Sequence, residues 1–261
     1  MFTIIGELIN STREEVKKAL VDRDEDKIRE LTRNQWEAGA KILDVNAGEM
    51  LKEEVEVTEW IIDVIQDEEE QIRISIDTAK PEAMEAGLRK CKNKPIINSI
   101  TNEDNNKEIR ILASEYDAEV IGLAMGEKGM PEGVEDRMLE VEALLEKCDL
   151  LGIERENLYV DSIAMSVGSS PDQGRHVLET VRRLKKEYDL KTSLGVSNIS
   201  FGLPDRTLLN SVYLSMLLAY GLDAALIDPT DKMVMGSLKA SECLLAEDER
   251  CLGYIKYKRG E

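Results

Sequence analysis

A single histidine, His176, stands in the 261 residues, so neither a histidine-based nucleophile triad nor a multi-histidine metal centre can be built. Cysteine is scarce as well. Cys91, Cys148, Cys243 and Cys251 show no Cys-x-x-Cys spacing, which leaves metal and disulfide readings weak; Cys91 and Cys148 fall on apolar helix positions and read as core thiols. No metal site is expected. No apolar run approaches the ~18 residues of a membrane span. The N-terminus lacks the basic region and cleavage site of a signal peptide. A cytoplasmic chain with no membrane association is therefore expected. Basic residues are outnumbered, 34 against 53 acidic, for a net charge of −19. That argues against nucleic acid as a partner and fits a solvated acidic surface, or a partner with a basic face. No low-complexity linker or domain boundary interrupts residues 1–261, which read as a single domain.

What is present is alternation. Apolar strand segments at 3–6, 41–46, 72–77, 95–98, 120–125, 158–161, 192–196 and 224–228 each lead into a helical pattern, the signature of a parallel sheet wrapped by helices. Ser11-x-x-Glu14 offers a capping box for the first helix. Gly39 fits the end of the second, about 24–38. The clearest period puts Val57, Trp60, Ile61, Val64 and Ile65 on one face. Later helices place Ile109, Leu112 and Ala113, then Met138, Val141, Leu144, Leu145 and Cys148, inward. The last helix covers about 232–246. An open doubly wound sheet usually carries a Gly-rich phosphate loop after its first strand. Here that strand runs into Gly-Glu-Leu-Ile-Asn. Eight strand–helix units in 261 residues therefore predict a closed (β/α)8 barrel, the TIM-barrel architecture.

Polar residues cluster where these strands end. Glu7, Asp44 and Asn46, Asp77, Asn98, Met125, Asp161, Ser197 and Asn198, and Asp228 all fall at strand exits. In such a barrel these exits converge on one mouth. Any one of these polar residues has an ordinary use as a turn former or cap; their agreement argues for a site. No histidine, lysine or cysteine joins them. Short acids and amides suit a neutral heterocycle rich in N–H donors, since a carboxylate accepts two adjacent N–H groups and an asparagine both donates and accepts. They suit phosphate poorly. A pterin-like or purine-like ligand is the expectation.

At these residues the chain resembles the methyltetrahydrofolate:corrinoid protein methyltransferases, the pterin-binding barrel family. The likeness lies in Ile5-Gly-Glu7, Leu43-Asp-Val-Asn46, Ser75-Ile-Asp77, Glu85-Ala-Gly-Leu88, Lys90-Cys-Lys-Asn93, Ile97-Asn-Ser99, Ile121-Gly-Leu123, Leu158-Tyr-Val-Asp161 and Leu194-Gly-Val-Ser-Asn198, in order along nearly the whole chain. The resemblance implies tetrahydrofolate or 5-methyltetrahydrofolate bound in the mouth, a corrinoid (cobalamin) carried by a separate partner protein, and a homodimer. It implies methyl transfer between N5 of the folate and the corrinoid cobalt, a strong nucleophile when reduced. By position, Asp77, Asn98 and Asp161 match the pterin anchors and Asn198 the catalytic asparagine. Arg206 matches an arginine near the cofactor. Asn198 would hydrogen-bond N5 as charge builds there, and Asp161 would move a proton through water. Phe201 departs from the polar amide of well-known members and reads either as packing or as a change at the corrinoid approach. Dihydropteroate synthase, a relative, uses a lysine and an arginine just after strand seven; here those places read Asn198 and Ile199. A non-catalytic barrel that only scaffolds a corrinoid protein would not need Asp77, Asn98, Asp161 and Asn198 together. The strand-exit segments 47–55, 126–133 and 162–173 are expected to meet the partner.

Overall fold

Isoleucine, valine and leucine fill the strands, as a parallel sheet covered on both faces requires. In the computed structural model, which describes residues 2–260, they close into a barrel. Its strands are β1 (Thr3–Asn10), β2 (Ile42–Asn46), β3 (Arg73–Asp77), β4 (Ile96–Ile100), β5 (Glu119–Leu123), β6 (Leu158–Asp161), β7 (Lys191–Gly195) and β8 (Ala224–Ile227). They pair in sequence order, every ladder is parallel, and β8 returns to β1. The helices are α1 (Glu14–Asp22), α2 (Glu25–Glu37), α3 (Glu54–Glu68), α4 (Pro81–Lys90), α5 (Lys107–Glu115), α6 (Val134–Leu150), α7 (Gln173–Arg183), α8 (Arg206–Ala219), α9 (Lys232–Leu244) and α10 (Leu252–Arg259). The expected (β/α)8 fold is thus the observed one.

Two cores follow from the period-2 alternation of strand side chains. Outward residues such as Leu43, Val45, Ile74, Ile76 and Ile97 pack under the helices. Inward residues Ile5, Ile42, Ile96, Ile121, Tyr159 and Ala224 plug the barrel axis as a separate cluster. The predicted helix faces are buried as expected: Val57, Ile61, Val64 and Ile65 on α3, Ile109, Leu112 and Ala113 on α5, and Met138, Val141, Leu144, Leu145 and Cys148 on α6. Trp60 is only half-buried, with the Arg23 guanidinium 5.4 Å from its ring centre. Gly6 faces α2, where a side chain would collide with Gln35 Oε1; that oxygen accepts the Leu8 N–H at 3.1 Å. The Asn98–Ser99 peptide is cis.

Four expectations need correction. Ser11 does not cap α1, whose N-cap is Arg13 without a side-chain bond. Ser11 is buried and donates to Asn46 Oδ1 at 2.8 Å, because β1 runs on to Asn10 and carries Ser11 alongside the end of β2. Cys91 is the C-cap of α4 rather than an interior helix position, and its thiol donates to Gly87 O at 3.3 Å. Phe201 does not pack inward; the residue is 70% exposed. The last predicted helix is followed by a further one, α10, whose exposed faces left no inward period to read.

Candidate active site

Residues two apart on a strand share a face, so the side chain above each barrel plug points up into the mouth. Glu7 stands above Ile5, Asp44 above Ile42, Asn98 above Ile96 and Asp161 above Tyr159. Asn46 is one step beyond Asp44, and Asp77 one step beyond Ser75. Four of these residues are directly bonded to one another or to a shared neighbour. Asp44 Oδ1 accepts Ser75 Oγ–H at 2.6 Å and Asn98 Nδ2–H at 3.0 Å. Asn46 Nδ2–H donates to Asp77 Oδ2 at 2.9 Å, while Asn46 Oδ1 accepts from Ser11 and from the Gly48 N–H.

The electrostatics of this floor are unusual. Burial, and then the neighbouring Asp77, push the Asp44 carboxyl well above the ordinary carboxylate range. Burial also raises Asp77, opposed by the Asn46 bond and reinforced by Glu54. Two carboxylates out of water and this close bind a proton more tightly than either would alone. Asp161 is buried, and its oxygens accept the Ile163 N–H at 2.7 Å and the Gly195 N–H at 3.3 Å. Burial lifts it to about 6, against the pull of those two amides and of Arg137. Ser193, paired in register with Asp161, carries a buried hydroxyl with no partner among the described residues. Such an orphan fits a polar ligand.

On the other side, Ser197 Oγ–H donates to Glu7 Oε2 at 3.4 Å. Burial raises Glu7 to about 7, opposed by Arg13 and reinforced by Asp228. Residues 196–200 form a short helical turn after β7. Arg206 fastens it, donating to Ser197 O at 2.7 Å and to Ser200 Oγ at 3.1 Å, with its guanidinium 5.8 Å from the Phe201 ring centre. The turn leaves Asn198 exposed; only its backbone carbonyl is engaged, by the Phe201 N–H, and its side-chain amide has no partner among the described residues. A cavity of about 290 Å³ opens beside Ser197 of the same turn, lined by Glu7, Arg13, Ser197, Arg206 and Asp228.

Two predicted residues stand apart from these contacts. Met125 lies two residues past β5, half-buried. Asp228 accepts from its own turn, at Thr230 N and Oγ1, and acts on Glu7 only through its charge. Sequence reasoning missed Ser75 and Ser193, which share the inward faces of their strands with Asp77 and Gly195 and so were findable by alternation. It missed Arg137 for want of any signal, since an arginine on an amphipathic helix reads as surface. Among the described residues no group of three or more His, Cys, Asp or Glu is placed to hold a metal, and no helix is long and apolar enough to cross a membrane.

Comparison with known proteins decides the family: a model described as pterin binding enzyme matches residues 6–228. The chain belongs to the pterin-binding enzymes. It is 30% identical, over 99% of its own length and 97% of the relative's, to a methylcorrinoid:tetrahydrofolate methyltransferase of Eubacterium limosum. It is 25% identical over 94% of its length to methionine synthase of Mycobacterium tuberculosis, of which it spans 22%. This pterin-binding enzyme is accordingly a methyltransferase. Among solved structures, Xanthomonas albilineans dihydropteroate synthase superposes with a TM-score of 0.72 over 95% of this chain and 92% of that one, at 18% identity, a likeness of fold.

Proposed function

We propose that this cytoplasmic, single-domain barrel moves a methyl group between N5 of tetrahydrofolate and the cobalt of a corrinoid held by a separate protein. The observation that carries the reading is the mouth itself: buried and half-buried acids and amides at the exits of β2, β3, β4 and β6, and an Asn198 amide without a partner among the described residues just past the exit of β7. The pterin ring is flat and edged with N–H groups. Asp161 accepts two of them in a fork, and Asp77 and Asn98 hold the ring's other polar edge. Asn46, Met125 and Arg206 complete the surroundings, Arg206 through the turn it fastens. The corrinoid supplies the cobalt that gives or takes the methyl. What the chain supplies is help for N5, a poor leaving group unless its growing charge is met. The Asn198 amide donates to N5 most strongly in the transition state, and it does so without titrating. Asp161, held near pH 6, moves a proton through water. Glu7, near pH 7, lies on the far side of Ser197.

The partner covers the mouth. Leu51, Met130 and Phe201, exposed on the loops after β2, β5 and β7, give it apolar contacts around an acidic rim. Two copies of the barrel pair through α7 and α8. There Leu208, Leu209, Val212 and Met216 are exposed beside a groove of about 630 Å³, and chains of net charge −19 approach most easily along α8, which carries no charged residue beyond Arg206.

The test is methyl transfer from 5-methyltetrahydrofolate to candidate corrinoid proteins, run in both directions, with folate binding followed by calorimetry. Asn198→Ala is expected to slow transfer by about 100-fold or more while folate still binds; Asn98→Ala is expected to weaken binding. A wild-type rate for Asn198→Ala would dispose of the mechanism.

A further inference from the structure

Arg137 on α6 is fully buried, and among the described residues no carboxylate lies in ion-pair contact with it. A charge taken out of water at such cost is retained only where its hydrogen bonds are nearly all made. Its Nε–H donates to Ser162 O at 2.7 Å, Nη1 to Gly133 O at 3.0 Å, and Nη2 to both Ile163 O at 3.1 Å and Gln173 Oε1 at 2.6 Å. Ser162 and Ile163 begin the segment that follows β6, and Gln173 ends it by opening α7. One guanidinium therefore grips both ends of residues 162–173.

The segment is what joins the two halves of the mouth. At its start, the peptide whose Ser162 carbonyl faces Arg137 carries the Ile163 N–H that reaches Asp161. Ile163 adopts a left-handed backbone, φ +55°, a conformation a β-branched residue adopts only when its surroundings impose it. In its middle, Val167 N–H donates to Ile199 O at 3.0 Å and Ser166 Oγ–H to Phe201 O at 2.6 Å. Those two carbonyls lie one and three residues past Asn198, on the turn that carries it. We propose that Arg137, which touches no substrate, is a positioning residue that holds Asp161 and the Asn198 turn in working register by clamping residues 162–173 at both ends.

This rests on the assignment of Asp161 and Asn198 to methyl transfer. The clamp also has an electrostatic side. Among the described residues Arg137 is the charged side chain that acts on Asp161, beside the Ile163 and Gly195 amides. Arg137 in turn faces Asp136 on its own helix and Tyr213 on α8. Its charge lowers the Asp161 carboxyl, so removing it must send that carboxyl further up.

Three variants separate charge from grip. Arg137→Lys keeps the charge and loses the fork. Arg137→Gln loses both. Gln173→Leu loosens one end and leaves the charge in place. The titration of Asp161 is read without substrate by 13C NMR of carboxyl-labelled aspartate, assigned through Asp161→Asn; transfer is read as kcat and KM for folate. The expected result is an Asp161 midpoint moved upward in Arg137→Gln alone. Arg137→Lys and Gln173→Leu should keep the parent midpoint and lose kcat, by about 100-fold for the lysine variant, as an ångström of misplacement typically costs, with KM little changed. Should Arg137→Gln fail to fold, the other two variants decide. Folded Arg137→Lys and Gln173→Leu at the parent kcat would overturn the proposal. So would an Asp161 midpoint unmoved in folded Arg137→Gln. A parent protein that transfers no methyl would instead sink the methyl-transfer reading, and the Asp161 midpoint would still report on the charge of Arg137.

Discussion

Glu7 and Asp161 are held up to about 7 and about 6 by burial, and the same cause raises Asp44 and Asp77. Each binds its proton more tightly in the native state than in the unfolded chain, so the folded protein carries more protons. Stability from this source is complete below the ordinary values of 4.5 and 3.8 and is lost as pH rises through the raised ones. Thermal unfolding should therefore show Tm falling between about pH 5 and pH 8, and Glu7→Gln and Asp161→Asn should each flatten that fall. Calorimetric Tm values for the variants that track the parent across the range would contradict this. Acids that cost stability when charged are the groups a ligand with N–H donors can relieve, which is the residue-scale link from burial to pterin binding.

Elements decide which of these residues meet. The period-2 alternation of a strand fixes the face, and the closed ladder fixes the neighbour: Asp77 is in register with Asn98 and Asp161 with Ser193. The tips of the loops after β2 and β5 are free to serve a partner without disturbing that floor. Lys52→Glu and Lys128→Glu, on the segments after β2 and β5, are expected to slow methyl transfer to the corrinoid protein while leaving calorimetric folate affinity unchanged. Transfer rates equal to the parent's would move the docking face elsewhere. The 196–200 turn obeys different rules, since Arg206 and the 162–173 segment fasten it from both sides; charge changes there would be felt by Asn198.

At the scale of the whole molecule, one helix stands out from an acidic chain. The chain carries −19, yet beyond Arg206 the sequence of α8 has no charged residue. A dimer formed through that helix should survive high salt, and Val212→Glu should return it to monomers in sedimentation equilibrium. A parent that is monomeric at all concentrations would refute the pairing. Parent and monomeric variant should bind folate alike, because the mouth is completed within one chain.

The sequence by itself determined the barrel and most of its mouth. Eight apolar segments leading into helices leave few ways to bury both faces of a parallel sheet. A polar residue ending such a segment must emerge at the same rim as its fellows, which is why Asp44, Asn46, Asp77, Asn98 and Asp161 were legible as a set. Only the tertiary structure decided the contacts made between distant parts of the chain. Ser11 reads locally as a cap and is bonded to Asn46 instead; Phe201 reads either as packing or as a change at the corrinoid approach, and its exposure excludes the first; Arg137 reads as surface and is buried under residues 162–173. Local pattern encodes which face a side chain takes. The partner waiting on that face comes from a segment dozens of residues away, and only the closed fold brings the two together.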